Sequence, residues 1–301
     1  MKQGYGISHA KVIFMGEHSV VYHHPALAIP FKALRAEVMI QPTTKSSLHC
    51  DLYSGLLDHG PKNLEPILEL IKTLITYFNL PEIEVNIHST IPFSSGLGSS
   101  AALASAITKA FYDYTHTPLS DDQLFKWVQQ SETMAHGNPS GVDALTTSFD
   151  HAWWFIKGQV PQALTFSLPA HLIIAQTLQS GSTKEALKIV SEHIQSEGMI
   201  SIDKLGQLTH EALQAIQSKD VIKLGHIMTR AHETLSHLGI STPSLDECVS
   251  IALENNACGA KLTGGGLGGC MIALAKNQED CDTICEALRK VTPHVWSLSL
   301  I

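Results

Sequence analysis

Ile91-Pro92-Phe93-Ser94-Ser95-Gly96-Leu97-Gly98-Ser99-Ser100 is the stretch on which the reading of this chain turns. Before it, Ile83, Val85 and Ile87 alternate with Glu84, Asn86 and His88, the period of a half-buried strand. After it, residues 101–112 are rich in alanine and predict a helix. A glycine- and serine-rich loop between strand and helix leaves the first helical amides unpaired and facing the loop. Glycines admit close approach of a ligand, the helix dipole favours negative charge, and serine hydroxyls add donors that can also ligate Mg²⁺. Two readings follow: a phosphate cradle, or an ordinary turn with serine as its cap. A Walker A loop is excluded, because no Gly-Lys-Ser/Thr follows.

Downstream, residues 121–136 predict a second helix with Ser120 or Asp121 as N-cap, stopped by Gly137-Asn138-Pro139. Glu132 and Asp143 flank that stop. Taken alone they read as two solvated acids; lining a phosphate site, one could hold Mg²⁺ and the other face an attacking hydroxyl. A second glycine-rich loop, Thr263-Gly264-Gly265-Gly266-Leu267-Gly268-Gly269, lies between two apolar strands, 259–262 and 270–274. So many glycines cost chain entropy that a plain turn would not require, which favours contact with a ligand. Near the N-terminus, Lys11 precedes Val12-Ile13-Phe14 and is either drawn partly inside by its apolar neighbours or an ordinary surface lysine.

The rest of the chain reads as a mixture. Residues 11–14, 19–22, 26–29 and 36–40 predict short strands, and 65–78 a helix that opens at Pro66. Strands are expected at 153–156, 164–166 and 172–178, helices over 184–237, then a helix at 279–289 and a strand at 295–300. That order suits an α+β fold, with a domain boundary near Pro169 separating residues 1–169 from 170–301.

Composition limits the function. The 301 residues are 44% hydrophobic and 16% charged, enough for a substantial core and without the signature of disorder. A formal charge of −8 argues against nucleic acid as a partner, since such binders need a basic face. The six cysteines include no C-x-x-C pair and read as reduced thiols, and the 17 histidines include no H-E-x-x-H. No apolar run approaches the ~20 residues of a membrane span, and the first residues have no signal-peptide core, so a soluble, cytoplasmic protein is expected.

Three segments taken together carry a resemblance: residues 10–22 (Ala-Lys-Val-Ile-Phe-Met-Gly-Glu-His-Ser-Val-Val-Tyr), the loop 92–102, and Lys261-Leu262-Thr263 with its glycines. In this order they closely resemble the three signature motifs of the GHMP kinases. Gly16-Glu17-His18 followed by Val20-Val21-Tyr22, with His136-Gly137-Asn138-Pro139-Ser140-Gly141-Val142-Asp143, is similar to the mevalonate kinase branch, in its compact bacterial and archaeal form.

The resemblance implies a two-domain α+β fold, with an N-terminal ribosomal-protein-S5-like α/β domain and a C-terminal ferredoxin-like α+β domain. It implies transfer of the γ-phosphate of ATP, with Mg²⁺, to the primary hydroxyl of mevalonate in isoprenoid biosynthesis. By position, Lys11 and Asp143 match the catalytic pair, and Ser100 and Glu132 the Mg²⁺ ligands. Ser89 and the loop Ser94, Ser95, Gly96, Leu97, Gly98, Ser99 and Ser100 match the ATP contacts. Glu17, His18, Thr183 and Gly265 fall where the family lines its substrate pocket. Leu267 departs from the pattern, standing where glycine is common. Phosphomevalonate kinase and a catalytically silent ligand sensor are the alternatives. The first should show extra cations, of which Lys184 is the obvious candidate, and the second should lack the acid or the metal ligand. A homodimer is one of the assemblies left open.

Overall fold

A computed structural model describes residues 2–93, 95–137, 139–179 and 181–301. They form two compact units that interleave along the chain. The first takes the described residues of 1–11, 30–93 and 98–150; the second takes those of 12–29, 94–97 and 151–301. Strands β1 (Gly4–Met15) and β2 (Pro25–Pro42) pair with each other and contribute to both units.

In the first unit follow β3 (Ser47–Cys50), β4 (Tyr53–Leu56), α1 (Glu65–Tyr77), β5 (Ile83–Ser89), α2 (Ser99–Tyr114), α3 (Asp121–His136) and α4 (Val142–Ser148). β5 runs antiparallel to β2, from Ala36 opposite Ser89 to Pro42 opposite Ile83, and parallel to β3, which forms a hairpin with β4. α1 opens on Pro66 and buries Ile67, Leu68, Leu70, Ile71 and Leu74. Each such side chain contributes about 1.5–3 kcal/mol relative to exposure. α2 is buried nearly all round, and its alanines serve packing as well as helix propensity. β1 lies against it so closely that a Cβ on Gly6 would stand 2.0 Å from the carbonyl oxygen of Ala106. α3 starts with a capping box: Ser120 Oγ accepts from Gln123 N, and Gln123 Oε1 accepts from Ser120 N.

In the second unit β6 (Ala152–Ile156) pairs with the Pro25–Ala28 end of β2 and with β7 (Gln162–Leu164). Then come β8 (His171–Gln176), α5 (Thr183–Glu197), α6 (Ile200–Gln217), α7 (Val221–His237), α8 (Pro243–Glu254), β9 (Gly259–Thr263), β10 (Cys270–Ala275), α9 (Gln278–Leu288) and β11 (Val295–Ser299). The last four strands make an antiparallel sheet ordered β11-β8-β10-β9. With those strands counted from one to four, that is the 4-1-3-2 order of a ferredoxin-like layer, as expected for the C-terminal half. β9 and β10 are buried along their whole length, covered by α7, α8 and α9. No helix among the described residues is long and apolar enough to cross a membrane.

Several local expectations give way. Residues 19–22 form a 3₁₀ turn, not a strand. His18 takes φ 59°, and the amides of Ser19, Val20 and Val21 bond back to Glu17, Gly16 and His18. The short apolar run Val20-Val21-Tyr22 is therefore folded by local turn bonds that override its strand propensity. The segments 26–29 and 36–40 are parts of the single long strand β2, and the strand expected at 164–166 lies earlier, as β7. The helical region does not stop at 237, because α8 follows, capped by Thr242 with Pro243 at its start.

Candidate active site

Within the first unit four of the expected residues come together. Lys11 projects from β1, where burial is continuous, and is 4% exposed. Its Nζ lies 3.0 Å from Asp143 Oδ1, on the first turn of α4. α4 begins after Gly141 in left-handed conformation, which turns the chain sharply enough to present Asp143. Thr147 Oγ1 bonds back to the Asp143 carbonyl, and Ser8 Oγ donates to the Thr147 carbonyl, tying α4 to β1. Gly98 faces the stem of Lys11. Its φ is +74°, and a Cβ there would lie 2.8 Å from Lys11 Cγ and 3.2 Å from Thr147 Cγ2. Only glycine satisfies both the backbone and the space.

Ser100, on the first turn of α2, donates its hydroxyl to Glu132 Oε1 near the end of α3. Glu132 is almost completely buried, and burial pushes its carboxyl above the usual carboxylate range. The Ser100 hydrogen bond opposes that rise, the Asp143 charge adds to it, and His136 and Lys11 counter it. Lys11, Ser100, Glu132 and Asp143 therefore act on one another electrostatically. A buried carboxylate and a serine hydroxyl are a hard-oxygen pair suited to Mg²⁺, and a dication would offset the cost of burying the charge. Ser99 Oγ, also buried at the head of α2, makes no hydrogen bond with the described residues and is a donor left for an anion. Ser89 is placed otherwise: its hydroxyl accepts from Ile91 N, and with Leu48, Ile67, Ile87, Phe93 and Leu103 it lines an apolar pocket.

Within the second unit the two glycine-rich loops meet. A Cβ on Gly264 would stand 3.7 Å from Gly96 Cα, and one on Gly269 3.4 Å from the Ser95 carbonyl oxygen. Leu97 is buried, and its amide bonds Ser95 Oγ. Ser94 and Asn138, both singled out in the sequence, lie outside the described residues. Leu267 holds φ +59° and donates its amide to the Ile240 carbonyl at 2.7 Å.

The four residues expected at a substrate pocket also lie in this unit, though 248 positions separate Glu17 from Gly265. His18 Nε2 lies 2.9 Å from the Gly265 carbonyl oxygen. A carbonyl only accepts, so Nε2 carries the proton and Nδ1 of the neutral ring is an acceptor. Burial pushes the His18 pKa down, against the smaller effect of that bond, and Nδ1 is buried without a hydrogen bond to the described residues. Thr183, the first residue of α5, stands beside Gly265, where a Cβ would be 2.8 Å from its Oγ1.

One member was quoted in the sequence only as part of a motif, with no role of its own. Lys261 in β9 is fully buried and donates to Glu17 Oε1 and, at 2.8 Å, to the Leu262 carbonyl. Burial lowers its pKa and the Glu17 charge opposes this. The available signal was a lone cation inside the apolar strand Gly259-Ala260-Lys261-Leu262-Thr263.

Comparison with known proteins adds a separate line. Residues 65–150 match the GHMP kinases N-terminal domain and residues 212–294 the GHMP kinases C-terminal domain. The chain is 32% identical to a mevalonate kinase of Pyrococcus abyssi, over 90% of this chain and 88% of that one. Among solved structures it resembles a mevalonate kinase from methicillin-resistant Staphylococcus aureus (TM-score 0.78, 31% identity, covering 100% and 99% of the two chains). It also resembles the mevalonate kinase of Methanococcus jannaschii (TM-score 0.87, 26% identity, 99% and 98% covered).

Proposed function

This chain belongs to the GHMP kinase family, in its mevalonate kinase branch, and from that membership we propose how its residues move the γ-phosphate of ATP to the primary hydroxyl of mevalonate. The observation that carries the proposal is the 3.0 Å pair between buried Lys11 and half-exposed Asp143, beside a second, buried carboxylate.

Phosphoryl transfer depends on alignment and charge neutralisation more than on covalent help from the protein. Asp143 orients the substrate hydroxyl and receives its proton as the new O–P bond forms and the bond to ADP breaks. Lys11 holds Asp143 in place and stabilises charge developing at the transferred group. Mg²⁺, when bound, would neutralise the phosphates, with Ser100 and Glu132 as its protein ligands. The amides of residues 96–99 and the Ser99 hydroxyl bind phosphate oxygens. His18 Nδ1 accepts a hydrogen bond from a substrate hydroxyl, with Glu17, Thr183 and Gly265 completing that pocket. A silent sensor is disfavoured because the acid, its lysine and both candidate Mg²⁺ ligands are all present.

The test is ADP release with mevalonate, phosphomevalonate, galactose and homoserine measured side by side. Release with mevalonate alone is expected. Release with phosphomevalonate in its place would move the substrate assignment and leave the phosphotransfer chemistry standing.

A further inference from the structure

We propose that His193, Glu197 and His237 bind a borderline transition-metal dication, zinc above all, which ties α5 to α7. His193 and Glu197 are four apart in the last turn of α5 and so lie one above the other on the same face. His237 is the final residue of α7. The three side chains converge by their terminal atoms: Glu197 Oε2 is 3.4 Å from His193 Nε2 and 3.3 Å from His237 Nε2. All three donor atoms fall within 4.8 Å of one another. A tetrahedral ion with bonds of about 2.0–2.1 Å spaces neighbouring ligand atoms at about 3.3 Å, the separation found in the two histidine–carboxylate pairs.

Three further observations favour an ion over a plain histidine–carboxylate pair. First, His193 Nε2 is buried and makes no hydrogen bond with the described residues despite its nearness to the carboxylate, so the pair leaves it unsatisfied. Second, the site sits where two helices end, and their last carbonyls give both termini partial negative charge, which favours a dication. Third, the imidazoles are set edge-to-face, with centroids 5.2 Å apart and planes at 84°, so the rings do not stack across the space an ion would fill. Glu197 and His237 are exposed, leaving an entry path and an open coordination position for water.

The donor set fixes the class of metal. Two imidazole nitrogens and one carboxylate oxygen suit zinc, cobalt or nickel, whereas Mg²⁺ and Ca²⁺ prefer all-oxygen shells. The site is therefore chemically distinct from the Ser100–Glu132 pair. Its mechanical consequence lies along α5. That helix shares no extensive interface with any single other element among the described residues, yet its first residue, Thr183, stands against Gly265. An ion at its far end would pin α5 to α7.

The test uses the full chain, stripped with a chelator and then titrated with Zn²⁺, followed by calorimetry and metal analysis, and with Co²⁺, followed by visible absorption. The expected result is one tightly held zinc and a tetrahedral Co²⁺ spectrum. His237→Ala, an exposed position outside the catalytic machinery, should keep its fold by circular dichroism and its zinc-free turnover. It should weaken zinc binding by at least the ~10–100-fold that loss of an outer-shell partner costs a metal site. The double variant H193A/H237A should lose the Co²⁺ spectrum. Zinc binding equally tight in H237A and in the double variant would place the ion on other histidines and overturn the proposal. So would failure of the unaltered protein to hold zinc at micromolar concentration.

Discussion

Lys261 and Glu17 form an ion pair enclosed at both ends, the lysine side chain wholly inaccessible and the glutamate 1% exposed. The two residues lie 244 positions apart, one in β9 and the other in the turn that carries His18. Such a pair contributes little net stability, because desolvation of both charges offsets their attraction. Its loss on one side is another matter.

Lys261→Met should destabilise the protein by about 3–5 kcal/mol, since it removes the cation that offsets the burial of the Glu17 carboxylate. Glu17→Gln in the same chain should recover much of that loss. Urea unfolding of the two single variants and the double variant measures the coupling. Additive losses would mean that the two charges do not act as a pair.

Asp143→Asn and Lys11→Met should each lower kcat by orders of magnitude while leaving the fold intact. The carboxylate is 39% exposed, so its side of the ion pair contributes at most about 1 kcal/mol to stability. Steady-state kinetics with circular dichroism as the control checks both. Near-normal turnover in both variants would remove them from the chemistry.

Gly98→Ala tests the support of Lys11. The left-handed backbone at this position costs an L-residue about 1–2 kcal/mol, and the added methyl would press on Lys11 Cγ. A lower kcat is expected, with a smaller change in the KM for mevalonate. An unchanged kcat would show that Lys11 tolerates displacement.

Acid should weaken the response to Mg²⁺. The folded pKa of Glu132 is raised by burial, so the folded protein keeps this proton at pH values where the unfolded chain has released it. In metal-free protein Glu132 therefore favours folding less and less as pH rises through its folded pKa. The same proton competes with the ion, so the Mg²⁺ concentration for half-maximal rate should rise as pH falls through that value. Titrations between about pH 5 and 8 check this, with Glu132→Gln expected to flatten the stability profile. An Mg²⁺ requirement independent of pH would count against Glu132 as a ligand.

How much of this was legible in the chain depended on the kind of signal. α3 was readable at both ends, because Ser120 with Gln123 and Gly137 with Pro139 are local instructions that tertiary contacts did not override. The glycine loops were readable for the same reason. α4 was not: seven residues, Val142–Ser148, are too few to display a helical period, and its threonines bond back to their own turn. The short strands β3 and β4 were missed because each is only four residues long, with β3 taking its strand identity from pairing with β5 and β4 from pairing with β3. Lys11, Ser100, Glu132 and Asp143 could be nominated one by one, but their convergence is a property of three helices and a strand. Lys261 was quoted within a motif but given no role, because a charge inside an apolar strand has meaning only once its partner, 244 residues away, is seen.

Leu267 is the one non-glycine residue in left-handed backbone within the second glycine loop, and its amide is fixed to Ile240. A run of glycines samples many shapes when unfolded and forfeits all but one on ordering. A leucine in their midst removes many of those shapes beforehand, at the expense of a strained torsion. Leu267 is thus one of several pegs that stake the loop like a tent, beside the Gly265 carbonyl at His18 and the Gly269 amide on the Gln179 carbonyl, and it leaves the chain less freedom to surrender on ordering. Replacing this peg with glycine would relax the torsion and loosen the canopy together.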